Sequence, residues 1–461
     1  MTKSTAESTD RSAQAKAHRT RFANLALCLA LLGAAAMAYY HEGLFVPRAL
    51  ESRASRDLNG GYSFGNDFYQ IWLTSREWQR NRIYPYSEQA TRDIQIGLYG
   101  RTLDPNRSGD PKDQRRFPYP AFVDLLFGPA ALFSFPIVRI DILCLLIPLT
   151  AAGVWLWMKV LSWDFSWQWT SVVFLMVFTS YPALEGLYSD QIGLIVAFLL
   201  PASLLSLQRG RLRLSGILLA LTLMKPQVTA LAIIYLFFWS FGDLRRRGRL
   251  LVSFLATSVL LVGAALAVWP RWIQSWFQLL YAYRDYNPPP LFNLLLASLD
   301  VPHSVVPVLA ACVVIAGIVL AWRKRRAAPD SAEFWLTLSA LLAVTAIVVL
   351  AGQAVYDHII LLPGILLLAS RWSEMSSSRW IQKTVTTLAA VVLFWPWVAA
   401  AAVIVLRPFL TYEQFHSRAI FYLPVDLAAV FPFLVLAPLL LALRKEKSIE
   451  ATVSGRVSVS C

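Results

Sequence analysis

From residue 22 onward the chain is a series of apolar runs separated by polar connections. Runs at 22–40, 118–135, 137–158, 167–181, 190–207, 212–239, 250–269, 303–322, 333–350, 355–370, 380–405 and 423–443 approach or exceed the ~20 residues a helix needs to cross a bilayer. Most lack the polar stripe at 3.6-residue spacing that a soluble helix carries. Lipid offers no partner for backbone polar groups, so such runs must be helical. The pattern predicts an all-α, polytopic transmembrane helical bundle of about 11 to 13 membrane helices.

One long polar interval interrupts the series. Residues 41–117 form a first extracytoplasmic loop with no alternating strand pattern and no apolar core of its own. Within it, 66–80 and 87–99 have an amphipathic helical period. "FYQIWLTSREW" places Phe68, Ile71, Trp72 and Ser75 on one face, which suits a helix lying along the membrane surface.

Two later stretches are awkward. Between 118 and 207 the plausible crossings give the wrong parity, so 118–135 or 167–181 is expected to be re-entrant or surface-lying. The run 212–239 has basic residues at both ends yet is short for two full spans. "MKPQ" at 224–227 breaks it. Two short helices meeting at Lys225-Pro226 resolve the conflict, because proline removes a backbone donor and bends a helix.

Composition agrees with a membrane protein: 57% of residues are hydrophobic and 15% charged, against about 25% charged in soluble domains. The net charge of +14 does not point to nucleic acid, because the basic residues are dispersed in short blocks between apolar runs. These blocks are "RGRLR" at 209–213, "RRRGR" at 245–249, "RKRR" at 323–326 and "RKEK" at 444–447. Lys and Arg are retained on the cytoplasmic side during insertion, so the blocks set topology. They place both termini in the cytoplasm: a disordered segment 1–21, a transmembrane domain 22–443 and a tail 444–461. "AMA" at 36–38 resembles a signal-peptide cleavage site, but the apolar run is long for one and reads as an uncleaved anchor. Cys28, Cys144, Cys312 and Cys461 give no disulfide framework, and the histidines no zinc spacing. No metal ligand set and no cofactor follow from the residues.

Ionisable groups in or near lipid cost about 2.5–3.5 kcal/mol each and usually line a cavity. Four places stand out. Asp67, flanked by Asn66 and Tyr69, is either a carboxylate held at the outer surface or an ordinary helix cap. Arg115 and Arg116 in "RRFPYPAF", followed by Tyr119, either hold an anionic group or anchor the interface. Asp190 and Gln191 in "SDQIG", with Lys225 in "MKPQ", put a carboxylate, an amide and an ammonium beside apolar runs. Lys225 cannot readily snorkel from the middle of a broken helix pair, which favours a paired or phosphate-facing lysine. Lastly, Gln353, Tyr356, Asp357 and His358 in "GQAVYDHIILLPG" form a polar cluster, with a helix-capping Asp357 as the plainer alternative.

The order of "NDFYQIW…NRIYPY", "RFPYPAFVDLLFGPAALFSFP", "SDQIGLIVAFLLPASLLSLQRGRLRLSGILLALTLMKP" and "YDHIILLPGILLL" resembles glycosyltransferase family 87, over about residues 22 to 370. That family belongs to the GT-C superfamily of polyprenyl-phosphate-sugar-dependent transferases, and its best-known members are mannosyltransferases. The resemblance implies that Asp67 is the catalytic base of the first outer loop and that Lys225-Pro226 is the family's Lys-Pro. Gln191 matches the glutamine of a Gly-Gln-Asn-like pattern, although this chain reads Asp190-Gln191-Ile192. Tyr119-Pro120-Ala121 stands where the family usually has Tyr-Pro-Pro.

It also implies an inner-membrane enzyme that moves a hexose from a polyprenyl-phosphate donor to a lipid or glycan acceptor on the outer face, with inversion. The carrier phosphate is already a good leaving group, so one base suffices where glycosidases use two carboxylates. Positive groups must offset the departing phosphate; Lys225, Arg115, Arg116 and His358 are the candidates. Asn66, Tyr69, Tyr119, Asp190, Gln191, Gln353, Tyr356 and Asp357 are expected to line the cavity. A transporter or lipid-carrier flippase shares the many spans and the buried lysine, but would show internal repeats, and no convincing repeat is present. An inactive assembly subunit is the third alternative.

Overall fold

Helices account for 79% of the structure. The computed structural model describes residues 2–61, 64–104, 106–352, 354–376 and 380–457. Among them the β pairing is limited to an isolated bridge between Pro290 and Ala351. Among the described residues six helices are long and apolar enough to cross a membrane: Thr20–Ala54, Phe135–Val160, Leu244–Val268, Val306–Arg323, Trp380–Phe409 and Leu423–Lys445; a bent pair, Trp167–Phe178 with Tyr181–Tyr188, makes up to seven. The chain is therefore an all-α, multi-span helical bundle.

The first of these begins as α1 (Thr2–Tyr39), passes through a π-helical turn (Tyr40–Phe45) and continues as α2 (Val46–Ala54). Two helices of the polar loop follow, α3 (Asn66–Asn81) and α4 (Glu88–Tyr99), close to the spacing the sequence predicts. Ser87 caps α4 by accepting the Ala90 N–H at 3.1 Å.

The position of α3 differs from expectation. Its first part does not lie on a surface: every residue from Asp67 to Ser75 is buried, packed against α4, the short α5 (Phe122–Phe127) and the start of α6 (Phe135–Val160), and only the last turn, Gln79 to Asn81, is exposed. The reason lies in its polar side chains, which find protein partners instead of water. Thr74 Oγ1 donates to Asp124 Oδ1 at 3.0 Å, Ser75 Oγ to the Asp124 carbonyl at 3.2 Å, and Trp72 Nε1 to the Phe133 carbonyl at 3.1 Å.

Several runs read as spans are shorter or broken. The 118–135 run yields α5 and a 3₁₀ turn. The 167–181 run extends to α7 (Trp167–Phe178) and α8 (Tyr181–Tyr188), bent by 54° at the break. Pro182 stands in the first turn of α8, and Ser180 accepts the Ala183 N–H at 3.4 Å. After α9 (Gly193–Gln208), the 212–239 run divides into α10 (Leu212–Leu221) and α11 (Pro226–Phe241), with Lys225 between them. Across this break Thr222 and Thr229 hydroxyls pair at 3.0 Å.

Next come α12 (Leu244–Val268), α13 (Trp272–Tyr286), α14 (Leu291–Ser298), α15 (Val306–Arg323) and α16 (Ala332–Val348). From Phe334 to Val348, α16 is buried on every side, the fate of a helix that is apolar all round. A 3₁₀ helix (Val355–Leu361) leads into α17 (Leu362–Ser370) and carries the second polar cluster.

Candidate active site

Asp67 sits at the second position of α3. Its carboxylate does not cap that helix, because the N-cap is Gly65, at φ 68°. A glycine is required there: this φ disfavours other residues, and a Cβ would stand 2.5 Å from Asp190 Oδ2. Backbone bonds from Gly65 N to the Tyr188 carbonyl (2.9 Å) and from Asp67 N to the Ser189 carbonyl (3.2 Å) tie the start of α3 to the α8–α9 turn.

The Asp67 side chain is bound on both oxygens. Arg115 Nη1 donates to Oδ1 at 2.7 Å, and Gln191 Nε2 donates to Oδ2. The other end of the same amide, Gln191 Oε1, accepts from Lys225 Nζ at 3.0 Å. Lys225 Nζ then donates to Asp357 Oδ1 at 2.8 Å and lies 4.5 Å from the centre of the Tyr356 ring. A continuous polar chain thus runs Arg115–Asp67–Gln191–Lys225–Asp357, drawn from five separate stretches of sequence. Gly193 makes room for its far end: a Cβ there would be 2.5 Å from Asp357 Oδ1 and 3.4 Å from Lys225 Nζ.

Backbone geometry explains how adjacent arginines part. Arg115 has φ 53°, an uncommon left-handed conformation. Its N–H donates to Asp113 Oδ1 at 2.9 Å, and its Nε to Tyr99 Oη at 3.2 Å. Arg116 instead pairs with Glu88 on α4 at 3.0 Å and lies off the chain of bonds.

Burial pushes the Asp67 carboxyl above the ordinary Asp value, while Arg115 and Lys225 pull it back. Burial also works against the Arg115 charge, but Tyr99, Asp113 and Asp67 hold that guanidinium above its usual value. Asp190, at φ 51° in the turn, is fully buried with neither oxygen hydrogen-bonded. Its pKa is pushed up to about 7, first by burial, with Arg139 opposing and Asp67 adding to the rise.

The other expected site residues differ in placement. Tyr119 and Tyr356 stand beside the chain of bonds, within electrostatic range of both Asp67 and Asp357. Asn66 precedes Asp67 at a half-buried position, and His358 is buried on the 3₁₀ helix one residue after Asp357. Tyr69 is a packing residue, its ring edge-on to Phe135 at 4.9 Å. Gln353 lies outside the described residues.

Sequence reasoning missed Tyr99, Asp113 and Tyr283. The first two hold Arg115, and burial with nearby Asp113 raises the Tyr283 phenol above its ordinary value. Only the Asp113 carboxylate, two residues before an arginine, left a local signal. Among the described residues, no group of three or more His, Cys, Asp and Glu side chains is placed to hold a metal ion.

The fold and this buried acid–amide–base chain define an integral membrane protein with a charged site beside the helices of its long polar loop. Residues 117–351 match the sequence model of glycosyltransferase family 87, just over half of the chain. It belongs to that family and is a membrane glycosyltransferase. The matched segment includes Tyr119, Asp190, Gln191 and Lys225; Asp67, Arg115, Asp357 and His358 lie outside it. No curated protein and no solved structure matches the chain.

Proposed function

We propose that this chain moves a hexose, with mannose the leading candidate, from a polyprenyl-phosphate donor to a lipid or glycan acceptor. Transfer takes place at the face that carries residues 41–117, with inversion at the anomeric carbon. In this reading the acceptor hydroxyl oxygen attacks that carbon and Asp67 takes its proton. The bond from the anomeric carbon to the phosphate oxygen breaks, and the carrier phosphate leaves with the electron pair. Lys225 and Arg115 offset the charge that develops on it, joined by His358. Arg116, paired to Glu88, serves the loop and reaches phosphate only if that pair opens. The inner membrane, with both termini cytoplasmic, is the setting that goes with this reading.

The observation that carries the proposal is the setting of Asp67 between Arg115 and Gln191, with Lys225 one residue further along. Gln191 has a specific task in it. By accepting from Lys225 and donating to Asp67 it links the two charges without letting them collapse into a direct ion pair. The base therefore keeps an oxygen lone pair for substrate, and the ammonium keeps a proton for phosphate.

The test supplies membranes containing the chain with labelled polyprenyl-phosphate hexoses and follows label leaving the lipid. Transfer is expected from the wild type and not from Asp67→Asn. Near-normal transfer by Asp67→Asn overturns the base assignment. Failure of every polyprenyl-phosphate hexose to give up label overturns the donor class.

A further inference from the structure

Beyond the Asp67 chain, a second buried ionisable side chain stands near the same turn. His41 has no exposed surface and lies in the π-helical turn Tyr40–Phe45, a rare geometry frequent at functional sites. A carboxylate faces each ring nitrogen: Glu42 Oε1 is 2.9 Å from Nδ1, and Glu185 Oε2 is 3.6 Å from Nε2. The Nδ1 contact is within hydrogen-bond reach, whereas the Nε2 contact is an ion-pair distance beyond it. Phe45 stacks on the ring at 5.8 Å, and Tyr181 and Tyr188 meet it edge-on at 6.2 and 6.0 Å. The ring is thereby fixed in orientation.

Glu185 carries the connection onward. Ser189 Oγ donates to its Oε1 at 3.5 Å, and the Ser189 carbonyl accepts the Asp67 N–H. The preceding carbonyl, of Tyr188, accepts the N–H of Gly65. On the other side of the turn, Gln191 N donates to the Gly186 carbonyl at 2.8 Å. The stretch that holds Glu185 therefore fixes both Asp67 and the amide bonded to it.

We propose that His41 and Glu185 form a positioning pair. It locks the 185–191 turn and thereby sets the geometry of Asp67 and Gln191 for transfer. Neither residue is placed to touch substrate. The proposal rests on the reading of Asp67 as the base. It assigns a catalytic consequence to the end of the first helix, whose residues lie outside the family match.

The experiment measures kcat and KM for the donor lipid with the full-length protein in detergent, together with its thermal unfolding midpoint. A misplaced base is costly in rate, so His41→Ala and Glu185→Ala are expected to lower kcat about tenfold, with KM within about twofold. His41→Gln and Glu185→Gln, which keep a hydrogen-bonding group, are expected to recover part of that loss. The double alanine variant should be no worse than the worse single one, because the two act as a unit.

Wild-type kcat in both single alanine variants overturns the proposal. So do fully additive losses, and so does a rise in KM with kcat unchanged. If the alanine variants do not accumulate, Ser189→Ala removes only the connecting hydroxyl: a loss of about threefold in kcat is expected, and an unchanged kcat overturns the link. Asp67→Asn separates the two readings. An active Asp67→Asn enzyme defeats the base assignment itself. An inactive one alongside a normal His41→Ala enzyme defeats only the positioning pair.

Discussion

Asp67 and Lys225 reach the same buried cluster by opposite routes. Asp67 is brought in by α3, a helix from a polar loop, whose hydroxyl and indole groups are satisfied by neighbouring segments. Lys225 starts within an apolar run and is exposed to the cluster only because the helix breaks at Pro226. The first route folds polar sequence into the bundle; the second opens the bundle around a polar residue. The difference teaches that neither hydropathy nor amphipathicity alone marks this site. It forms where a polar helix is covered and an apolar helix is interrupted, at one level.

The largest expected effect falls on the first route. Asp67→Asn should lower transfer at least about a thousandfold, if Asp67 is the base that proton transfer needs, with a smaller drop in thermal midpoint than Lys225→Met because Arg115 keeps Asp113 and Tyr99. The second route should fail through stability. Lys225→Met leaves Asp357 buried without its cation, a loss of about 3–5 kcal/mol. The double variant Lys225→Met/Asp357→Leu should recover most of the thermal midpoint and none of the activity. Recovery of activity in that variant would remove Lys225 from the chemistry.

The arginines sharpen the comparison further. Arg115→Lys loses the guanidinium fork that reaches both Asp67 and Tyr99 and should cost about tenfold or more in kcat. Arg116→Lys should stay within about threefold, as expected of a partly exposed ion pair. Equal effects would mean that phosphate, and not Asp67, decides the role of Arg115.

Two pH effects complete the set. Activity should fall on acidification as Asp67 gains its proton, with the limb above the ordinary Asp value of 3.8 because burial raises it. Asp190 acts on stability with a defined sign. Its folded pKa of about 7 lies above the ordinary 3.8, so between these values the folded state binds the extra proton. Stability therefore falls as pH rises through that window. Asp190→Asn should flatten this slope, which thermal midpoints at pH 5 and pH 8 will read. An identical slope in the variant would assign the pH dependence elsewhere.

Much of this was legible in the sequence. The long apolar runs fix the helical bundle, "MKPQ" locates the break at Lys225, and the amphipathic periods locate α3 and α4 to within a residue or two. Asp67, Gln191, Lys225 and Asp357 were all visible as polar residues beside apolar runs. Their connection was not, since hydrogen bonds between residues 34 to 132 positions apart leave no local pattern. Nor was the burial of α3, whose one-sided pattern fits a membrane surface as well as a protein groove. Arg115 and Arg116 looked equivalent because the left-handed backbone that turns one toward Asp67 has no signature in an arginine. Asp124 was overlooked within "FVDLLF", though a lone carboxylate in so apolar a stretch was a usable signal.

The Lys225–Asp357 pair also bears on how the chain is made. Synthesis runs from the N-terminus, so Gln191 is already present when Lys225 enters the membrane, whereas Asp357 follows 132 residues later. Until then the ammonium has the Gln191 amide but no counter-charge, and a lone cation within lipid costs about 2.5–3.5 kcal/mol. The α10–α11 segment is thus inserted on credit from a helix not yet translated. Chains truncated before residue 357 should hold this segment less firmly in the bilayer than the full-length chain, by carbonate extraction. Equal retention would show that Gln191 is partner enough.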